Sequence, residues 1–140
     1  MSTARSRLGR TPMTALLIRL CVAGTVTESG YLHAKLYIDG YRFVPHIGTM
    51  FLIQAAVSFA VAALLLFAGA PVLHLMAAGT ALGALGGFAL SRTVGVWGFT
   101  ERGLQPHPDA LLSVLSEVAT LLLIGALCTY LLLHRTPRRE

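Results

Sequence analysis

Charged side chains are scarce in this chain. Acidic and basic residues fill 12% of its 140 positions, about half the ~25% usual for a soluble globular domain. Arg5, Arg7 and Arg10 stand near one end and Arg135, Arg138 and Arg139 near the other, with long stretches between them that hold almost none. Hydrophobic residues make up 55%, and mean hydropathy is +0.70. One small water-facing core cannot hide that much apolar surface, so lipid is expected to cover part of it.

Cysteine is nearly absent too. Cys21 and Cys128 form neither CxxC nor CxxCH, which excludes a thioredoxin-type redox pair and covalently attached haem. Each reads as a small residue buried inside a helix. The chain also lacks a Walker loop, a dinucleotide fingerprint and a zinc-protease motif. No nucleophile has an attendant base: Ser113 and Ser116 lie near Glu117, but intramembrane serines commonly bond their own helix backbone. An enzyme is not expected. The net charge of +5 would suit nucleic acid, but the basic residues flank apolar spans instead of forming one face, so nucleic acid is not an expected partner.

Four long apolar segments are present. The clearest is Ile47–Ala68, which carries no charge and as a helix would rise ~33 Å, enough for the hydrocarbon core. Gly69-Ala70-Pro71 makes a tight turn. Further helices are predicted over 72–96, ending in a polar Gly- and Pro-rich loop, and over 110–133, interrupted only by Glu117. The first, over 13–36, contains Arg19 and Glu28. A signal peptide is the rival reading of that segment, but Arg19 breaks its apolar core and no small-x-small cleavage site follows. The expected fold is all-α: a single transmembrane domain, an integral membrane four-helix up-down-up-down bundle, with tails at 1–12 and 134–140.

Lysine and arginine in the flanks set the expected orientation. The six tail arginines share one side, while Lys35, Arg42 and Arg102 on the other are diluted by Asp39, Glu101 and Asp109. Both termini are therefore expected in the cytoplasm of a cell (inner) membrane. Tyr31, Tyr37, Tyr41 and Trp97 then gather at the outer interface, where amphipathic rings sit, and Arg19 snorkels to the inner headgroups. Gly79, Gly83 and Gly87 recur every four residues, a spacing that lets a neighbouring backbone approach inside the bundle or between copies.

The segment His33–Gln54, HAKLYIDGYRFVPHIGTMFLIQ, and the stretch SRTVGVWGF…LLSVLSE over 91–117 resemble small four-helix integral membrane proteins of actinobacteria. The Gly-Tyr-Arg and Val-Gly-x-x-Gly-Phe elements carry the likeness, which covers about a third of the chain. The resemblance implies four helices and draws attention to the outer loops. It implies no activity.

Chemistry is expected at four polar residues within the spans. Glu28, Gln54, Arg92 and Glu117 each count to roughly 10–12 Å below the outer interface. An ionisable group there costs about 3 kcal/mol facing lipid, so these residues are expected to face inward, with Arg92 pairing Glu117 and Glu28 as third member. Such a network reads either as a lock on helix register or as a proton, ion or small-molecule site, since two carboxylates against one arginine leave a surplus negative charge. His33 and His46 flank the first outer loop and are candidate metal or haem ligands, although neither has a second ligand at diagnostic spacing.

Three roles follow. The first is a non-enzymatic accessory or assembly subunit, partnered by another membrane protein or its own copy. The second is a small transporter or ligand-binding protein using the Glu/Arg/Glu site, and the third a haem- or quinone-binding redox protein using the histidines.

Overall fold

A computed structural model describes residues 13–134. The predicted tails, His134 apart, lie outside the described residues, and with them the six arginines on which the expected orientation rests. The described chain is all-α, with helices α1 Met13–Asp39, α2 Ile47–Phe67, α3 Pro71–Arg92 and α4 Asp109–Leu133, and a single 3-10 turn at Tyr41–Phe43. All four are long and apolar enough to cross a membrane.

Local chemistry explains the helix ends. Pro71 opens α3 after an extended Ala70, using a position whose amide would go unbonded anyway. The end of α1 runs past the expected 36 because Lys35 bonds Asp39 one turn on, at 3.1 Å, and also Asp109 at the start of α4. The end of α3 falls short of the expected 96. Its chain turns at Gly95, where φ is +81 and the amide returns to Leu90 O at 2.8 Å. A Cβ at Gly95 would also meet Thr100 Cγ2 at 2.8 Å, so only glycine suits that reversal. Val96 and Phe99 then pair around Trp97-Gly98, both with positive φ, the pattern of a type I′ turn.

The helices form a four-membered ring in which each packs on its sequence neighbours and α1 also packs on α4. The tightest pair is α1 with α2. Val22, Ala23 and Val26 meet Val61, Ala62 and Leu65, with Leu73 and Ala77 of α3 closing the cluster. Further along the same pair, a Cβ on Gly30 would meet Ser58 Cβ at 3.0 Å and Ala55 O at 3.4 Å.

Gly30, then, is the glycine that permits close helix packing. The three expected to do so do not: nothing stands within 4 Å of a Cβ added at Gly79, Gly83 or Gly87. Their common spacing does put them on one side of α3, but Gly79 and Gly83 are exposed and α3 is held off from its neighbours. The cysteines also differ from expectation. Cys21 and Cys128 are both exposed, because the inward faces of α1 and α4 are taken by other small residues.

One glycine locks the first loop onto α2. A Cβ at Gly48 would come within 2.7 Å of Tyr41 O and 2.9 Å of Arg42 Cα, backbone atoms that cannot yield cheaply. Gly48→Ala is expected to destabilise the fold by about 1–3 kcal/mol, whereas Gly79→Ala, in open space, should be neutral or slightly stabilising. Thermal unfolding of the two purified variants in detergent measures the difference.

Candidate functional site

The α1–α2 contact leaves the other end of the ring hollow. A cavity of about 360 Å³ lies between the C-terminal halves of α1 and α3 and the N-terminal halves of α2 and α4. Its walls are apolar, with Met50, Phe51, Ile53 and Phe88 among them, and Gly83 and Gly87 supply the thin wall on α3. Polar side chains of the spans reach it as well: Glu117, Ser113, His33 and Gln54, with Ser91 and Arg92 at the end of α3.

Glu117 is 1% exposed. Its position follows from a run of small hydroxyl residues along one side of α4, Ser113, Ser116 and Thr120, all buried. Ser113 donates to Glu117 Oε1 at 2.9 Å, and Ser29 of α1 donates to the same oxygen at 3.3 Å. One turn further along, Thr120 bonds Thr25 at 2.7 Å, so hydroxyls line the α1–α4 contact. Among the described residues nothing donates to Oε2, and no cation pairs with this carboxyl. Ser116 bonds Ser113 O as expected of an intramembrane serine, but Ser113 serves Glu117 instead.

His33 lies in the same hydroxyl-linked group. Its Nδ1 donates to Ser29 O at 2.9 Å. A carbonyl only accepts, so Nδ1 carries the proton and Nε2 is left as an acceptor. The ring tilts against Phe51 with centroids 5.1 Å apart. Gln54 spends its amide on Thr80 O at 3.1 Å, tying α2 to α3 beside the cavity.

Arg92 does not pair with Glu117. Because α3 ends there, it sits at the rim, where Nη2 pairs with Glu101 Oε2 at 2.9 Å. Nε donates to Gly103 O at 3.0 Å, Nη1 to Ser91 Oγ at 2.6 Å, and Nη2 also to Gln105 O. The guanidinium covers the Phe88 ring at 3.7 Å. One fork thus staples the 93–106 loop over the cavity. Glu101 also accepts from the Tyr41 hydroxyl, whose ring stacks on Phe51 with centroids 4.4 Å apart. Burial first, and then the bond to Glu101, raises the Tyr41 phenol above the ordinary tyrosine range, so it stays a donor at any physiological pH. A second hollow of about 310 Å³ shares Leu36, Tyr41, Phe99, Glu101 and Pro106 with the first; these residues form the partition.

Glu28 is not part of the site. It is exposed on α1 and does not line the cavity, to which that helix contributes His33 and Leu36. His46 is exposed as well and lies against Trp97, with centroids 5.4 Å apart, so the two candidate histidines face different neighbours. Among the described residues no group of three or more His, Cys, Asp or Glu could hold a metal ion. Arg19 reaches the α2–α3 turn, with Nη1 3.0 Å from where a Gly69 Cβ would stand.

Sequence reasoning found Glu117, Gln54 and His33 but missed Ser29, Tyr41 and Glu101. Only Glu101, a lone acid in a Gly-rich loop after an arginine, left a signal. No family model, curated protein or solved structure matches the chain.

The staple can be tested by exchange. Lysine keeps the charge of Arg92 but loses its fork. Arg92→Lys should therefore speed amide exchange across 95–106 about tenfold, corresponding to ~1.5 kcal/mol of lost hydrogen bonding, with α2 unchanged. The Glu101 amide, bonded to Ser91 O at 2.9 Å, is the reporter. Equal exchange in both proteins would show that the fork holds nothing.

Proposed function

We propose that this chain is a multi-pass cell-membrane protein, an up-down-up-down bundle with both termini cytoplasmic, that binds a small bilayer-borne amphiphile in its cavity. The observation that carries the reading is Glu117. Its carboxyl is buried, receives two serine hydroxyls on one oxygen, and leaves the other, inside a cavity, with no donor among the described residues. A purely structural lock would pair both oxygens within the protein.

The ligand class follows from the lining. With Glu117 ionised, its Oε2 and Nε2 of His33 are both acceptors, so the ligand's polar head is one that donates, as a hydroxyl or an ammonium does. The walls are apolar, and a volume of about 360 Å³ lies within the usual range for small-molecule sites. Met50 and Ile53 of α2 are exposed while also lining the cavity, and so is Gly83 of α3. The gap between these two helices would open towards lipid, and the stapled loop closes the end towards water. With both tails cytoplasmic, the cavity lies in the outer half of the bilayer. The reaction class is binding or carriage; nothing in the site calls for catalysis.

The association reading keeps one specific observation in its favour. A spanning α1 would hold the exposed Glu28 near the middle of the bilayer, at a cost of about 3 kcal/mol if it faced lipid alone.

The binding reading can be measured with three probes of equal chain length. In nanodiscs, dodecylamine or dodecanol should raise the unfolding temperature of the protein and dodecane should not. Glu117→Gln should weaken binding of the active probe about tenfold, since a hydrogen bond to a charged group contributes ~1.5–3 kcal/mol. Gly83→Leu, which adds a side chain at the cavity wall, should abolish binding with the fold intact. Probe affinity unchanged in both variants would remove the cavity as the site.

A further inference from the structure

Glu28 is the one acidic residue of the spans that neither the cavity nor the core explains. At 1.5 Å per residue it stands about 16 Å from the Asp39 end of α1, and the bundle leaves it exposed. Along one strip of the helix with Glu28 lie Thr14, Leu17, Cys21, Gly24 and Tyr31, all exposed; the strip ends there, because Leu32 is buried and Lys35 bonds Asp109 of α4. The spacing along the strip alternates three and four. That alternation is a period of 3.5, the repeat of a seam along which two parallel helices wind around each other.

We propose that this seam is an interface between two copies of the chain, related by a two-fold axis along α1. Gly24 notches the seam: a Cβ there meets nothing within 4 Å, so a second backbone can come close. Glu28 accepts, and the Tyr31 hydroxyl three residues on donates to none of the described residues. Across a two-fold axis, donor and acceptor on one face satisfy each other reciprocally, Tyr31 of each copy meeting Glu28 of the other. That self-complementarity selects a second copy over an unrelated helix, which would have to bring its own donor to the same depth. None of the seam residues lines the cavity, to which α1 contributes His33 and Leu36, so the inference stands apart from ligand binding.

The protein carries its own reporters. Cys21 lies on the seam and Cys128 on α4, both exposed. A disulfide needs Cα atoms within about 7 Å. Full-length chain is reconstituted in vesicles at one copy per several thousand lipids and oxidised with iodine. Cys128→Ser should give a disulfide-linked dimer through Cys21, and Cys21→Ser should give none. Gly24→Leu in the Cys128→Ser background should cut dimer yield about tenfold or more. Its unfolding temperature should hold, because the space around Gly24 is open within the monomer.

A Cys21 dimer that Gly24→Leu leaves intact overturns the proposal. So does efficient cross-linking through Cys128, or through Leu82→Cys on α3, in place of Cys21, because the copies would then meet on another face. A chain that stays monomeric throughout overturns it as well, and leaves the seam to another protein or to lipid.

Discussion

The structure depends on how closely α1 and α2 approach. Ala23, Gly30, Ala55, Ser58 and Ala62 are all small and all buried, and Gly30 leaves no more than 3.0 Å between a notional Cβ and Ser58. Lipid tails are as apolar as leucine, so helices within a bilayer gain little by merely hiding apolar surface from it. Close van der Waals contact and interhelical hydrogen bonds hold them instead. This pair makes the most extensive helix–helix contact among the described residues. Once α1 and α2 are drawn together, α3 can follow both only at one end, where Leu73 and Ala77 join the core. At the other end it must stand away, and the cavity is the space left over.

A hollow end would be loose without a tie, and the tie is Arg92. Its position at the last residue of α3 lets one planar fork reach Glu101 and the carbonyls of Gly103 and Gln105. Those groups lie in a loop whose backbone is otherwise ordered by the Gly95 turn, the Val96–Phe99 pair, the Glu101 amide and a bond from Gln105 N to Arg102 O. Glu101 in turn holds Tyr41, which stacks on Phe51 of α2. The chain of contacts runs from α3 through the second loop to the first loop and back to α2. It replaces by side chains the α2–α3 packing that the glycines of α3 do not provide.

Much of this architecture was legible in the sequence. The four apolar runs mark helices whose ends fall within four residues of those observed, and of the four polar residues expected to face inward Glu117 and Gln54 line the cavity deep in the bundle. Arg92 was misread because Val94 and Val96 continue the apolar pattern, whereas the helix end is set by Gly95 and its positive φ. Four residues of imagined helix carried Arg92 from the rim to the depth of Glu117 and suggested a pair that does not form. Glu28 was misread for a different reason. Apolar residues ring α1 almost evenly, so periodicity could not say which side faces inward. The cysteines and the α3 glycines failed alike: small size permits burial without requiring it.

α4 and α1 make the remaining contrast. On α4 the hydroxyl residues Ser113, Ser116 and Thr120 and the acid Glu117 share one side, and that side meets α1; between its two ends the rest of the helix is apolar. A single polar stripe is what a helix at the edge of a bundle should show when its other side meets lipid. α1 is different. Thr25 and Ser29 face α4 and are used there, while Glu28 and Tyr31 are exposed and bond no partner among the described residues. The hydrocarbon of a bilayer offers a carboxyl nothing to bond. Were α1 an edge helix, its outward side should look like that of α4. It carries instead a notch, an acceptor and a donor at seam spacing, the surface of a helix with neighbours on both sides.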